Sequence, residues 1–254
     1  MPTLCGSRYR RLLGEIYIDG NSKTRKLHYE QFGRGDDVIL LHGWGASASA
    51  FLFVAKRLSK EYRTTVLDFA GFGESDEPSE GMSVADYAND VLVLMDRLGI
   101  SKATLVGHSF GGRVALYLSA LKGERVNKLV LVDSAGLKPR RGLKYYAKVY
   151  LHKILKKLGK RGLKGSADYR LLSPTMKETF KNVVNFDETH LLKNINCPCA
   201  VFWGKDDCET PRYMHKRFLK EIRGAQGFLL DGGHFAYVDD SVKFLLILEA
   251  FLKE

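Results

Sequence analysis

The sequence predicts an α/β fold, a mostly parallel central sheet with helices on both faces and a helical segment inserted between two strands. Three observations predict it. Short β-rich apolar runs alternate with stretches of helical spacing over most of the chain. That alternation stops at about Gly136, gives way to helical spacing alone, and resumes after Asn194. Runs such as residues 38–41 are continuously apolar, as in strands buried on both faces.

Taken in order, residues 15–18 and 26–32 are extended runs separated by the turn cluster Asp19-Gly20-Asn21. Residues 38–41 and 64–67 read as buried strands, with a helix over 49–60 between them. A helix over 83–98 opens on Ser83 with Asp86 three residues later, close to a capping box. A strand at 103–106, a helix at 111–121 and a strand at 129–132 follow. After the insertion come a strand at 200–203, a helix opened by Thr210-Pro211 in the order cap then proline, a strand at 228–230 and a helix at 242–252. The expected division is a core of residues 1–135 and 195–254 and a helical cap of residues 136–194. A (β/α)8 barrel would need eight consecutive strand–helix pairs, and neither the opening strands nor the middle segment supply them.

With 254 residues and 45% apolar content, the chain suits one large domain, or one domain with an insertion. No apolar run approaches the roughly 20 residues that span a bilayer, and no apolar stretch follows the basic N-terminus. A cytoplasmic location is therefore expected. The four cysteines have neither zinc nor redox spacing; no metal or organic cofactor is expected. Net charge is +11, and the stretch between Asp133 and Asp168 holds eleven Lys or Arg and no acidic residue. Such a patch concentrates anionic partners, an acidic carrier protein or an anionic membrane surface. No DNA- or RNA-binding motif accompanies it, which disfavours nucleic acid.

Gly107-His108-Ser109-Phe110-Gly111 fits G-x-S-x-G between a predicted strand and a predicted helix, the setting of a nucleophile elbow. A serine there sits at a helix N-terminus, where free N–H groups favour developing negative charge. Its base should be a histidine. Of the seven, His234 follows a strand on the loop Asp231-Gly232-Gly233-His234, at the sheet end where α/β proteins bind ligands. His28 lies in an early strand, and His152, His190 and His215 on predicted helices; these read as packing or surface residues. His108 adjoins the serine and is expected to point away. Asp206, Asp207 and Asp133 all follow strands between the two and are candidates for the acid.

Taken together, these motifs resemble the α/β-hydrolase superfamily over nearly the whole chain. His42-Gly43-Trp44-Gly45 resembles its oxyanion loop, and residues 68–78 (DFAGFGESDEP) resemble its D-x-x-G-x-G-x-S-x-x-P segment. Cys197-Pro198 followed by WGKDD resembles C-P-T-L-x-x-W-G-x-x-D, whose last Asp is the triad acid; this selects Asp207. Gly233-His234 resembles the Gly-His of the triad, although Asp239-Asp240-Ser241 stands where members often carry E-x-P. The resemblance implies a serine hydrolase cleaving a carboxylic ester or thioester of a small acyl substrate. Ser109 is nucleophile, His234 base and Asp207 orienting acid; the backbone N–H groups of Trp44 and Phe110 form the oxyanion hole. His42-Gly43-Trp44-Gly45 is also similar to the loop of esterases that demethylate an acyl-carrier-protein ester, which suits a basic cap. Two other functions use the same fold and triad: a small-molecule receptor with little turnover, and a cofactor-free lyase or perhydrolase.

Overall fold

The computed structural model describes residues 11–19, 24–138 and 167–254. Eight strands form one sheet: β1 (Leu12–Asp19), β2 (Thr24–Phe32), β3 (Asp37–Leu41), β4 (Arg63–Leu67), β5 (Ala103–His108), β6 (Val126–Val132), β7 (Cys199–Gly204) and β8 (Gln226–Leu230). Their order is β1-β2-β4-β3-β5-β6-β7-β8. The β1–β2 and β2–β4 pairs are antiparallel, and every later pair is parallel. This is the α/β-hydrolase arrangement the sequence predicts.

Helices α1 (Leu52–Leu58), α2 (Val84–Arg97), α3 (Phe110–Leu121), α4 (Ala167–Leu171), α5 (Pro174–Asn185), α6 (Tyr213–Glu221), α7 (Ala236–Asp239) and α8 (Ser241–Lys253) complete the described chain. Strand residues feed two cores alternately. Leu105, Leu129 and Leu131 pack on one face with residues of α2, α3 and α6; Val106, Val130 and Val132 pack on the other with residues of α1 and α8. That period of two explains the continuous apolar runs, since each central strand is covered on both sides.

Local signals account for most boundaries. Ser83 and Asp86 form the predicted capping box of α2, each side chain bonding the other residue's backbone N–H. The helix predicted over 49–60 is shorter: a 3-10 turn over Ala48–Phe51 precedes α1. Thr210-Pro211 does not start a helix; a turn intervenes and α6 begins at Tyr213. The Thr210 hydroxyl is instead drawn to a carboxylate, as described below.

Of the predicted insertion, the described residues 167–194 are helical, in α4, α5 and a 3-10 turn over Thr189–Asn194. Helix α5 is capped by Ser173 and docks on the loop before α2, where Met82 N–H donates to Thr179 Oγ1 at 3.0 Å. The segment departs and returns at one point. Glu188 N–H donates to the Gly136 carbonyl at 2.9 Å, and buried Arg113 of α3 bonds the Phe186 carbonyl at 2.5 Å and faces Glu188 at 3.5 Å. The basic residues from Arg140 to Lys164, with Tyr145, Tyr146 and Tyr150 among them, lie outside the described residues. Among the described residues, no helix is long and apolar enough to cross a membrane.

Candidate active site

Parallel register brings five loops to one end of the sheet. Leu41 pairs with Gly107, His108 with Val132, Val132 with Phe202, and Gly204 with Leu230, so the residues that follow each strand emerge side by side. Ser109 leaves β5 with φ 50° and ψ −109°, a left-handed conformation for a side-chain-bearing residue. The turn has no room for neighbours: a Cβ on Gly107 would collide with the Gly111 carbonyl. Ser109 N–H donates to the Val132 carbonyl, and its own carbonyl accepts from Ala135, both at 3.0 Å, which holds the strained turn.

The turn presents Ser109 Oγ at 2.9 Å from His234 Nε2, and His234 Nδ1 lies 2.9 Å from Asp207 Oδ2. Asp207 is 6% exposed and accepts further bonds from Glu209 N–H, Thr210 N–H and the Thr210 hydroxyl at 2.7, 2.9 and 2.5 Å. Burial favours the neutral acid, but His234 and Thr210 together outweigh it and hold the Asp207 pKa below the ordinary carboxylate value. Burial also favours neutral His234; the bond and charge of Asp207, joined by Glu209, reverse this and raise its pKa above 6.5.

The three acid candidates are thereby sorted by position. Asp206 is exposed and its backbone N–H bonds the Gly232 carbonyl, so it serves the loop. Asp133 is fully buried, with φ 45°, and its Oδ1 accepts from Gly204 N–H at 2.7 Å. Burial pushes its pKa up to about 8, which leaves it protonated at neutral pH and Asp207 as the ionised partner of the imidazole.

Two histidines with no expected role brace the site. His108 does point away from Ser109, but its Nε2 donates to the His234 carbonyl at 2.7 Å. Burial holds its pKa down to about 3, so it is a neutral donor. His42 accepts from Phe69 N–H at Nε2, 3.1 Å, and its Nδ1 donates to the Gly43 carbonyl at 2.7 Å. Burial keeps it neutral, with a pKa of about 4. Because a trans peptide is planar, fixing the Gly43 carbonyl also fixes the Trp44 N–H, which points the opposite way. Gly43 closes on the elbow: a Cβ there would stand 2.9 Å from His108 Nδ1 and 3.5 Å from Ser109 Cβ. Phe110 opens α3, so its N–H has no acceptor within the helix. Asp68 secures this loop from behind, accepting from Ala48 N–H at 2.6 Å and Glu74 N–H at 3.0 Å and facing His28 Nδ1 at 2.8 Å. His28 is thus tied into the loop.

Above the elbow the surroundings are aromatic. The Trp44 ring meets Phe72, Phe110 and Phe180 edge-on at 4.9, 5.4 and 5.3 Å between centroids. Among the described residues, no cluster of three or more His, Cys, Asp or Glu could hold a metal ion.

A family profile described as alpha/beta hydrolase fold matches residues 37–152. The chain has the α/β-hydrolase fold. Among curated proteins, it is 28% identical to an uncharacterized protein of Mycobacterium tuberculosis, over 87% of this chain and 76% of that one. It is 26% identical to the 2-hydroxy-6-oxononadienedioate/2-hydroxy-6-oxononatrienedioate hydrolase of Klebsiella pneumoniae, over 93% of this chain and 94% of that one. The fold of the enol-lactonase from Burkholderia xenovorans superposes with a TM-score of 0.75 at 23% identity, covering 94% of this chain and all of that chain.

Proposed function

We propose that this chain is an α/β hydrolase that cleaves a carboxylic ester or thioester through an acyl-enzyme on Ser109. The observation that carries the reading is the unbroken chain from Ser109 Oγ through His234 to Asp207, each link 2.9 Å. His234 Nε2 takes the hydroxyl proton as Ser109 Oγ bonds to the acyl carbon. The oxyanion forms between the Trp44 and Phe110 N–H groups. His234 then gives its proton to the leaving oxygen or sulfur, the acyl bond breaks, and water repeats the sequence to free the acid. The aromatic walls around Trp44 favour an apolar acyl group. The end-to-end length of the match to the Klebsiella hydrolase favours one second reading, hydrolysis of a carbon–carbon bond beside a ketone by the same triad.

A substrate panel separates the two readings. Activated esters and thioesters of graded acyl length are offered beside a 2-hydroxy-6-oxo-dienoate, with a fluorophosphonate as covalent probe. Turnover of the esters with stoichiometric labelling at Ser109 supports the first reading. Turnover of the dienoate alone favours the second. Labelling without turnover of either substrate, together with ligand-dependent stabilisation, would overturn both in favour of a receptor.

A further inference from the structure

Glu209 has no part in the reaction just described, yet its Oε2 lies 3.5 Å from His234 Nε2, the nitrogen that faces Ser109. Its side chain is 70% exposed, and among the described residues His234 is its only partner at ion-pair distance. In the working state, Nε2 is an unprotonated acceptor of the serine proton, and a carboxylate has no proton to offer it. Glu209 therefore gains nothing from His234 until the imidazolium forms. It stands as an open anion at the reacting face.

Position identifies which half of a substrate it would meet. Nε2 hands its proton to the leaving group, so the leaving oxygen must come within about 3 Å of that nitrogen. Glu209 Oε2 is then within about 6.5 Å of the leaving oxygen at any angle. A second group borders the same imidazole. Phe235 is 49% exposed, with its ring centroid 5.7 Å from that of His234. A carboxylate and a half-exposed aromatic ring that each border the same imidazole suit an alkylammonium, by ion pairing and by cation–π attraction, although Phe235 also packs on His108 at 5.0 Å between centroids. The opposite charge would be repelled at the same place.

Resting on the esterase reading of the triad, we propose that Glu209 and Phe235 form a leaving-group subsite selecting esters whose alcohol carries a quaternary or protonated amine one or two carbons beyond the ester oxygen. Charges facing His234 from the surrounding loops do not duplicate this site. Asp207 is buried and committed to Nδ1 and its loop donors, Asp133 is buried, and His108 is neutral.

The test uses two esters of one aromatic acid that differ only in charge, the choline ester and the isosteric 3,3-dimethylbutyl ester. Wild-type protein should favour the choline ester in kcat/KM by about three- to tenfold at low salt. Half-molar salt should shrink that preference to under about twofold. Glu209→Gln should abolish the preference and its salt dependence, Phe235→Leu should reduce it, and Asp206→Asn, on the same loop, should leave it intact. Equal rates for the two esters in the wild type, or a preference that survives Glu209→Gln, overturns the subsite and leaves the esterase reading standing. Failure of the labelled protein to turn over either ester overturns both.

Discussion

His42 offers the sharpest test of the proposed oxyanion site, because its imidazole is buried, bonds only backbone atoms and would act through the Gly43–Trp44 peptide. The perturbation is His42→Gln, which keeps a buried polar side chain but cannot bridge Gly43 O and Phe69 N with an imidazole's rigid reach. Loss of a whole oxyanion donor costs about 10²–10³ in kcat. The Gly43 carbonyl keeps a second brace, the Ala46 N–H at 3.2 Å, so the peptide is loosened rather than released. The expected loss is accordingly smaller, about 10- to 30-fold in kcat, with KM changed by less than about threefold, as befits a contact made only in the transition state. One or two unmet buried groups should also lower stability by about 1–3 kcal/mol each. The assay is steady-state hydrolysis of an activated ester, with active sites counted by fluorophosphonate so that misfolded protein is excluded. Unchanged kcat per labelled site, alongside a lower melting temperature, would refute the argument and reduce His42 to a packing residue.

Further expectations follow from the same geometry. Ser109→Ala should lose on the order of 10⁶ in kcat and all fluorophosphonate labelling, checked by intact mass; retention of a few per cent activity would sink the mechanism. Asp207→Asn should cost about 10⁴ through the wrong imidazole tautomer while Asp206→Asn stays within about twofold, and equal losses would mean the acid is misassigned. Activity needs neutral His234, whose pKa is raised, so kcat/KM should climb with pH through a limb above 6.5; a limb below it contradicts the cited pairings. His42 and His108 have folded pKa values of about 4 and about 3 against 6.5 when exposed, so the unfolded chain binds protons first. Their stabilising contribution is complete above 6.5 and falls away toward 3, and melting temperatures should decline across that window, less steeply in His108→Gln. Replacing Lys153, Lys156, Lys157 and Lys160 by Gln should weaken turnover of carrier-bound or vesicle-borne substrate and spare small neutral esters; equal effects on both would leave those lysines a solvated face.

What could be read in the sequence was whatever repeats locally. Strands β3 to β7 announce themselves because both faces are covered and apolar residues run together, and Ser109 because an elbow requires small neighbours on both sides. Thr210 misled because cap followed by proline is a good helix start, and nothing local reveals that Asp207, three residues away, draws its hydroxyl instead. His108 and His42 were illegible for a different reason. Their partners are backbone atoms, His234 O and Phe69 N, and a backbone atom leaves no trace in residue identity. Glu209 looked like any loop carboxylate until the fold set His234, from another strand, beside it.

The clasp of Arg113 and Glu188 over Gly136 has a consequence for how such a chain diversifies. It ties together the two ends of the excursion, a lobe whose α5 is held separately to Met82 and Trp44. Each doubling of the lobe's length then costs the core only about 0.6 kcal/mol in closure entropy. An exchange confined to residues 139–166 keeps these ties: a foreign segment there should leave the core's cooperative unfolding intact by calorimetry, while Arg113→Leu should loosen the two ends.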